Sequence, residues 1–231
     1  MAIEESKTLE RYFDKIAPNY QFMNSVLSLN LDRHWRNSLL KQSRLKSGDR
    51  VLDIACGPGD ILEVLGESAR QQGFEFQSVG LDLSFGMLKQ GAAQLPDANL
   101  IRGNGIQTPF KEDSFDLITI AFGFRNMPDY RVFIKEALRI LSPGGRLIIL
   151  ELTQPKNPLL KFGNTIYLRS ILPLVSSLFG RDREAYDYLQ RSIEAFPPQD
   201  EVTSMMRKEG YKDSNHILLN FGITTLFIGD K

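Results

Sequence analysis

The sequence predicts an α/β fold built on a mostly parallel sheet, and three observations predict it. Apolar, strand-like runs alternate with amphipathic, helix-like stretches between residues 51 and 152, and such alternation produces a parallel sheet with crossover helices. The run Val51-Leu52-Asp53-Ile54-Ala55-Cys56-Gly57-Pro58-Gly59-Asp60 takes an apolar strand through a glycine-bearing turn into a helix. An acid, Asp82, stands at the end of the next apolar strand. A glycine turn and an acid at the ends of consecutive strands build a cradle for an adenosine-bearing ligand at the carboxyl edge of such a sheet.

The elements follow in order. Residues 9 to 45 read as helical with breaks: Phe13, Ile16, Ala17 and Tyr20 recur at helical spacing around Pro18, and Leu31 begins a second helix with Asn30 as its expected N-cap. After a turn at Ser47-Gly48-Asp49 the first strand runs from Val51 to Ala55. Ile61, Leu62, Val64, Leu65 and Ala69 form one face of the following helix. Phe76 to Leu83 contains the second strand, and Ser84 can cap a helix carrying Met87, Leu88 and Ala92. Asn99 to Arg102 is a short third strand. Phe115 to Phe122 is a fourth, almost continuously apolar, as a strand covered on both faces should be. A helix from Val132 to Leu141 is expected to stop at Ser142-Pro143-Gly144-Gly145, before a fifth strand from Arg146 to Leu152. Residues 155 to 190 read as a helical insertion, Gln199 to Glu209 as a further helix. Ile217 to Leu219 and Ile223 to Ile228 form a carboxy-terminal antiparallel pair around Asn220-Phe221-Gly222, which brings the sheet to seven strands. No repeat or linker interrupts the chain, so residues 1–231 read as a single domain, with a helical extension over 1–46 and the insertion over 155–190.

Composition excludes several classes. Hydrophobic residues make up 42% of the 231 positions and charged residues 24%, which suits a globular protein with a substantial core. The 28 basic and 28 acidic residues give zero net charge, and no basic excess recommends a nucleic-acid partner. A single cysteine rules out an intramolecular disulfide and fits a reducing compartment, while two distant histidines, His34 and His216, give no metal pattern. The first residues lack a basic-then-apolar signal, and the apolar tract from Ile171 to Phe179 is too short to span a bilayer. The expected location is the cytoplasm, with peripheral contact at the inner face of the membrane left open.

Three cofactor readings compete for the glycine turn. A dinucleotide turn has a third glycine where Leu62 stands, and a phosphate-binding P-loop needs a Lys-Ser/Thr pair that is absent here. What remains, Asp53 followed by Gly57-Pro58-Gly59, resembles the first motif of Rossmann-like S-adenosylmethionine-dependent methyltransferases. In that resemblance the turn approaches the methionine moiety, and Asp82 accepts from two vicinal ribose hydroxyls. The bland alternative has Asp82 merely capping the helix near Ser84. Asn104 and Gly105 follow the third strand, where this class contacts the adenine. Asn104 is equally an ordinary turn asparagine, and Ala121 is equally a cofactor floor or a buried strand residue.

Beyond the cofactor core, the chain resembles the ubiquinone/menaquinone biosynthesis C-methyltransferase family over nearly its whole length. The resemblance rests on Phe13-Asp14-Lys15-Ile16-Ala17-Pro18-Asn19-Tyr20 with Met23-Asn24 and Leu31-Asp32-Arg33-His34-Trp35-Arg36. It rests also on Ala121-Phe122-Gly123-Phe124-Arg125-Asn126, on Arg183-Glu184-Ala185-Tyr186-Asp187-Tyr188-Leu189 and on Ser192-Ile193-Glu194-Ala195-Phe196-Pro197. It implies a Rossmann-like methyltransferase with a seven-stranded mostly parallel sheet, an antiparallel C-terminal strand, helices on both faces and an N-terminal helical lid. It implies S-adenosylmethionine as cofactor and methylation of a ring carbon on a polyprenylated quinol, either a demethylmenaquinol or the matching benzoquinol. Transfer to carbon requires alignment and stabilisation of a phenolate-like oxygen. Arg125 is the first candidate for that oxygen, with Asn126 positioning the same group; the alternative for Arg125 is a salt bridge to Asp129 or another acid. Asp14 and His34 are candidates for proton handling, although a structural histidine suits the site beside Trp35 better. Tyr20 could close over the cofactor or belong to the core. The insertion could form a groove for the prenyl tail, a homodimer surface or ordinary core. Two departures stand out: Gln21 follows Tyr20 where the family has aspartate, and Pro58 replaces a threonine, removing a hydroxyl and an amide donor. They keep two alternatives open, a methyltransferase for another small apolar acceptor and a non-catalytic quinone- or cofactor-binding subunit.

Overall fold

A computed structural model of the chain describes residues 11, 13, 14, 17, 25, 28, 30–167, 169 and 183–231, with the backbone alone for 183–187. The elements in chain order are α1 (Leu31–Ser43), β1 (Arg50–Ile54), α2 (Asp60–Gln72), β2 (Gln77–Asp82), α3 (Phe85–Gln94), β3 (Asn99–Arg102) and β4 (Phe115–Ala121). A 3₁₀ turn (Phe124–Asn126) leads to α4 (Tyr130–Ile140), β5 (Leu141–Leu152), α5 (Pro158–Ile166), α6 (Arg183–Ala195), α7 (Gln199–Lys208), β6 (Lys212–Leu219) and β7 (Thr224–Asp230). The expected residues Tyr20 and Gln21 and the tract from Ile171 to Phe179 lie outside the described residues.

The seven strands form one sheet in the order β3-β2-β1-β4-β5-β7-β6. The first five pair in parallel, and β7 runs antiparallel to both β5 and β6. The order reverses between β1 and β4, and a crevice opens at such a reversal outside the carboxyl ends of the strands.

Period-2 alternation divides the core between the two faces of the sheet. Leu52, Ile54, Ile118, Ile120, Leu147 and Ile149 point to one side, against Phe133, Ile134, Ala137 and Ile140 of α4 and Val202 and Met206 of α7. Val51, Leu117, Ile148, Leu150, Leu226 and Ile228 point to the other, against Trp35 and Leu39 of α1 and Ile61 and Leu65 of α2. The strands read as nearly continuous apolar runs because both faces are covered.

Two local expectations change. Ser142-Pro143-Gly144-Gly145 does not separate helix from strand: β5 starts at Leu141, and these residues form an excursion within it, so that Phe115 pairs with Leu141 but Leu117 with Arg146. Gly144 turns the chain at φ 78°, and the backbone of Gly144 and Gly145 bonds to Lys231, which keeps the excursion attached to the sheet. Asn30 stands at the N-cap of α1 but adopts φ 62° and makes no capping bond with its side chain. Ser84 caps α3 as expected, its Oγ accepting from the Met87 amide. Among the described residues, no helix is long and apolar enough to cross a membrane.

Candidate active site

The first half of the site is the turn after β1. Ala55 adopts φ 52°, Gly57 55° and Gly59 91°. Glycine is required at 59 twice over, because a Cβ there would lie 2.7 Å from Leu95 Cδ1 in a left-handed conformation. Ala55 has no such excuse, and a non-glycine residue held left-handed at a strand end is characteristic of ligand sites. Pro58 is buried, with its carbonyl oxygen facing Gly91 of α3.

Asp82 ties this turn to the end of β2. Its Oδ2 accepts from the Gly57 amide and its Oδ1 from the Ser84 amide, both at 2.8 Å. The carboxylate therefore fixes the helix start and the glycine turn together, and each oxygen retains a lone pair for a further donor. Burial pushes its pKa up, against the pull of the Ser84 and Gly57 amides. Asp53 is fully buried, and its Oδ1 accepts from Thr119 Oγ1 at 2.7 Å. Burial raises the Asp53 carboxyl to about 7, opposed by the Thr119 bond and reinforced by the charges of Asp82 and Asp60. Asp60, at the start of α2, pairs with Arg36 at 2.9 Å, and Arg36 also reaches Asp32 at 3.2 Å. This ion pair attaches α1 to the glycine turn.

Asp14 comes to the same corner from the N-terminal extension. Its Oδ1 accepts from Ser84 Oγ at 2.6 Å and from the Gly86 amide at 2.8 Å, so its negative charge sits on the first turn of α3. His34 is exposed on α1 and is not gathered into the corner. Asn104 is exposed; its Oδ1 accepts from the Ile106 amide at 3.1 Å, the geometry of a turn asparagine, and its Nδ2 has no partner among the described residues. Gly105 is buried against Ile54, and Ala121 is half-buried at the end of β4.

The second half of the site follows β4. Phe122 adopts φ 58°, and a Cβ on Gly123 would lie 2.6 Å from that of Ala55. The two strained strand ends therefore touch at the topological switch point, and Gly123 is what allows it. Arg125 lies in the 3₁₀ turn, where the fully buried Phe124 anchors it against Tyr130, Phe133 and Phe196. The Arg125 guanidinium is paired with Glu151 of β5 at 2.7 Å, with 8% and 0% of the two side chains exposed. Glu151 also accepts from the Arg125 amide at 2.9 Å and from the Leu152 amide at 2.8 Å. Arg125 donates further to the Phe122 carbonyl and to Ser192 Oγ of α6. The partner weighed from sequence, Asp129, instead caps α4 by accepting from the Arg131 and Val132 amides. Asn126 Oδ1 accepts from the hydroxyl of Tyr188 on α6 at 2.8 Å.

The structure thus brings Asp14, Asp53, Gly57, Pro58, Gly59 and Asp82 to one side of the switch point and Arg125 and Asn126 to the other. Ala121 stands between them. One side is rich in carboxylates, suited to a cationic ligand; the other presents donors, suited to an oxygen that gains negative charge. No group of three or more His, Cys, Asp or Glu among the described residues could hold a metal ion.

Sequence reasoning did not single out Thr119, Glu151, Tyr188 or Ser192. Two of these carried a signal. Thr119 and Glu151 are the lone polar residues of the apolar runs 117–121 and 147–152, and a buried polar side chain demands a partner.

The whole chain, residues 1–231, matches the ubiE/COQ5 methyltransferase family. A demethylmenaquinone methyltransferase of Lactiplantibacillus plantarum is 37% identical over 237 residues, covering 100% of this chain and 99% of that protein. One of Staphylococcus carnosus is 32% identical over 230 residues, covering 98% and 94%. Among solved structures, a chain of the complex between the Haloferax volcanii Trm112 methyltransferase activator and a putative methyltransferase aligns with a TM-score of 0.67. It is 19% identical, covering 94% of this chain and 96% of that one. Phosphoethanolamine N-methyltransferase 2 of Haemonchus contortus, in complex with S-adenosyl-L-methionine, aligns with a TM-score of 0.63 at 15% identity, covering 86% and 52%. At these identities the structural likeness concerns the fold.

Proposed function

The chain belongs to the ubiE/COQ5 methyltransferase family, and from that premise we propose that it transfers the methyl group of S-adenosylmethionine to a ring carbon of a demethylmenaquinol. The observation that carries this reading is the polarity of the switch point: a carboxylate-lined corner and a donor-bearing turn meet where Gly123 touches Ala55.

The corner fits the cofactor. Its glycine turn leaves backbone exposed to a close ligand, Asp82 keeps acceptor capacity for a ribose diol, and the carboxylates of Asp53, Asp82 and Asp14 suit a sulfonium cation. Pro58 removes one amide donor, but the Gly57 amide is already taken by Asp82 and the turn is held in shape from α2 and α3. When bound, the cofactor supplies an electrophilic methyl group on sulfur.

The chain's own residues then align and polarise the acceptor. A quinol ring carbon seated between the two sides would receive that methyl group and would release its own proton to water. The ring oxygen feeds this attack best as a phenolate, and a preorganised donor favours its ionisation. Direct contact with that oxygen falls to the Asn126 amide. Arg125, buried against Glu151, fixes the turn that bears Asn126. Asp14 brings a further carboxylate to the corner through Ser84 and Gly86.

The prenyl tail and the bilayer that dissolves it meet an apolar rim at the same edge. Leu159, Phe162 and Ile166 recur on one face of α5, exposed by 77%, 64% and 43%, and Phe221 in the turn before β7 is exposed by 78%. Phe221 precedes Thr224, which pairs with Leu152 at the carboxyl end of β5.

Calorimetry with S-adenosylmethionine and mass spectrometry of methylated demethylmenaquinol test the reading. Binding and methylation are expected in the intact protein, and Asp82→Ala is expected to weaken cofactor binding by about tenfold or more as buried donors lose their acceptor. Absence of binding heat at millimolar cofactor overturns it.

A further inference from the structure

We propose that Tyr188 is a positioning residue for the reaction: its hydroxyl orients the Asn126 side chain so that only an amide N–H₂ faces the substrate. The proposal rests on the functional reading above and deepens it, by assigning α6 a part in preparing the acceptor site.

An asparagine amide is ambiguous, since either end can face a ligand and the two ends prefer opposite partners. The structure places Oδ1, not Nδ2, against the Tyr188 hydroxyl. Asn126 Oδ1 has no hydrogen to give, so in its 2.8 Å contact Tyr188 must be the donor. Burial raises the Tyr188 pKa, which keeps the phenol protonated and a donor at neutral pH. Asn126 is half-buried, and its Nδ2 has no partner among the described residues. The amide therefore presents hydrogen and seeks an acceptor. A ring oxygen that ionises to a phenolate ahead of methyl transfer is such an acceptor.

The arrangement is built by two residues one helical turn apart. Tyr188 and Ser192 lie at i and i+4 on α6, hence on one face of it, and that face docks on consecutive residues of the turn. Tyr188 bonds Asn126 and Ser192 bonds Arg125. Ser192 Oγ in turn donates to the Leu189 carbonyl at 2.8 Å, which aims its lone pairs at Arg125. Tyr130 adds a bond from its hydroxyl to the Arg125 carbonyl at 3.3 Å. The turn is thus held from β5 by Glu151 and from α6 by Tyr188 and Ser192. Of these contacts, only the Tyr188 bond sets which end of the Asn126 amide is offered.

A double-mutant cycle on the full chain tests it, with Tyr188→Phe, Asn126→Ala and the pair, read by kcat and KM for demethylmenaquinol. Tyr188→Phe keeps the ring and removes only the donor. It is expected to lower kcat about tenfold to a hundredfold with KM and cofactor affinity changed less than threefold. In the Asn126→Ala background the same change is expected to have less than a twofold effect, because its target is gone. A second measurement needs no turnover: the absorbance titration of 2-naphthol bound with S-adenosylhomocysteine. The bound naphthol is expected to ionise at lower pH in the unsubstituted protein than in Tyr188→Phe. Full activity in Tyr188→Phe, additive losses in the cycle, or identical naphthol titrations overturn the proposal. Absence of methylation in the unsubstituted protein instead strikes the functional reading, and the naphthol titration then still decides the role of Tyr188.

Discussion

Glu151→Ala tests the buried pair that holds the turn bearing Arg125 and Asn126. The substitution removes a carboxylate with no exposed surface, from a partner guanidinium that is 8% exposed. It removes the acceptor of three hydrogen bonds at once, from Arg125 Nη1, the Arg125 amide and the Leu152 amide. Breaking a buried pair by deleting one member leaves an uncompensated charge, which costs about 3–5 kcal/mol. For a chain of this size, each kcal/mol lowers the melting temperature by about 2–4 °C, so a fall of roughly 6–20 °C is expected. Glu151→Gln retains one acceptor oxygen and should lose about half as much. Thermal and urea unfolding measure both. At a temperature where the variants remain folded, cofactor binding is expected to persist while turnover falls, since the glycine corner is built from other strands. A Glu151→Ala protein within about 1 kcal/mol of the parent, the range of exposed pairs, would refute the inference that this pair is desolvated and structural.

Two further outcomes follow from the charge and the rim. Asp53 has its carboxyl raised from 3.8 to about 7, so between these values the folded chain holds a proton that the unfolded chain has released. Its contribution to stability is therefore largest at low pH and declines as pH rises from about 4 to about 7. Cofactor affinity should run the opposite way, strengthening by up to about tenfold per pH unit below 7 as the carboxylate forms beside the cation. Calorimetry across pH 5–8 checks this, and an Asp53→Asn protein that keeps the same slope overturns it. Phe162→Glu combined with Phe221→Ser is expected to reduce sedimentation with phospholipid vesicles at least tenfold, since each large apolar side chain contributes about 1.5–3 kcal/mol on leaving water. Unchanged sedimentation rules the rim out as a bilayer contact, and a second copy of the chain as its occupant is read from sedimentation without lipid.

Much of the sheet was legible because its strands are local. A strand covered on both faces reads as an apolar run, so β1, β4 and the apolar part of β5 announce themselves. The start of β5 did not, because Ser142-Pro143-Gly144-Gly145 has the chemistry of a stop signal and only pairing with Lys231 shows that the ladder continues. The carboxylate corner was legible for the same local reason, since Asp53, the glycines and Asp82 sit at the ends of recognisable strands. The partners of Arg125 were not. Glu151 is 26 residues away, Ser192 is 67 away, and Tyr188 is 62 residues from Asn126. No periodicity relates positions so far apart. Glu151 was recoverable in principle as a lone acid in an apolar strand. Tyr188, an aromatic on a helical face, looks like core until its hydroxyl is seen to meet an amide oxygen.

The placement of strain gives these parts a common logic. Ala55 and Phe122 are non-glycine residues with positive φ, and they end the two strands that flank the reversal of strand order. Such conformations persist only when neighbours over-determine them. Ala55 is followed by a turn fastened to Asp82. Phe122 is held by its amide bond to the Leu150 carbonyl, by its own carbonyl bond to Arg125 and by its ring against Trp35. Both strand ends therefore turn sharply away from one point, and each carries its polar groups to the rim of the same crevice. The left-handed residue after β1 leads into a corner of carboxylates, and that after β4 leads into donors. Methyl transfer from a sulfonium to an electron-rich ring moves positive charge away from one side and reduces negative charge on the other. A site with fixed acceptors under the first and fixed donors under the second aligns both reactants before reaction, which is the preorganisation that such a displacement needs.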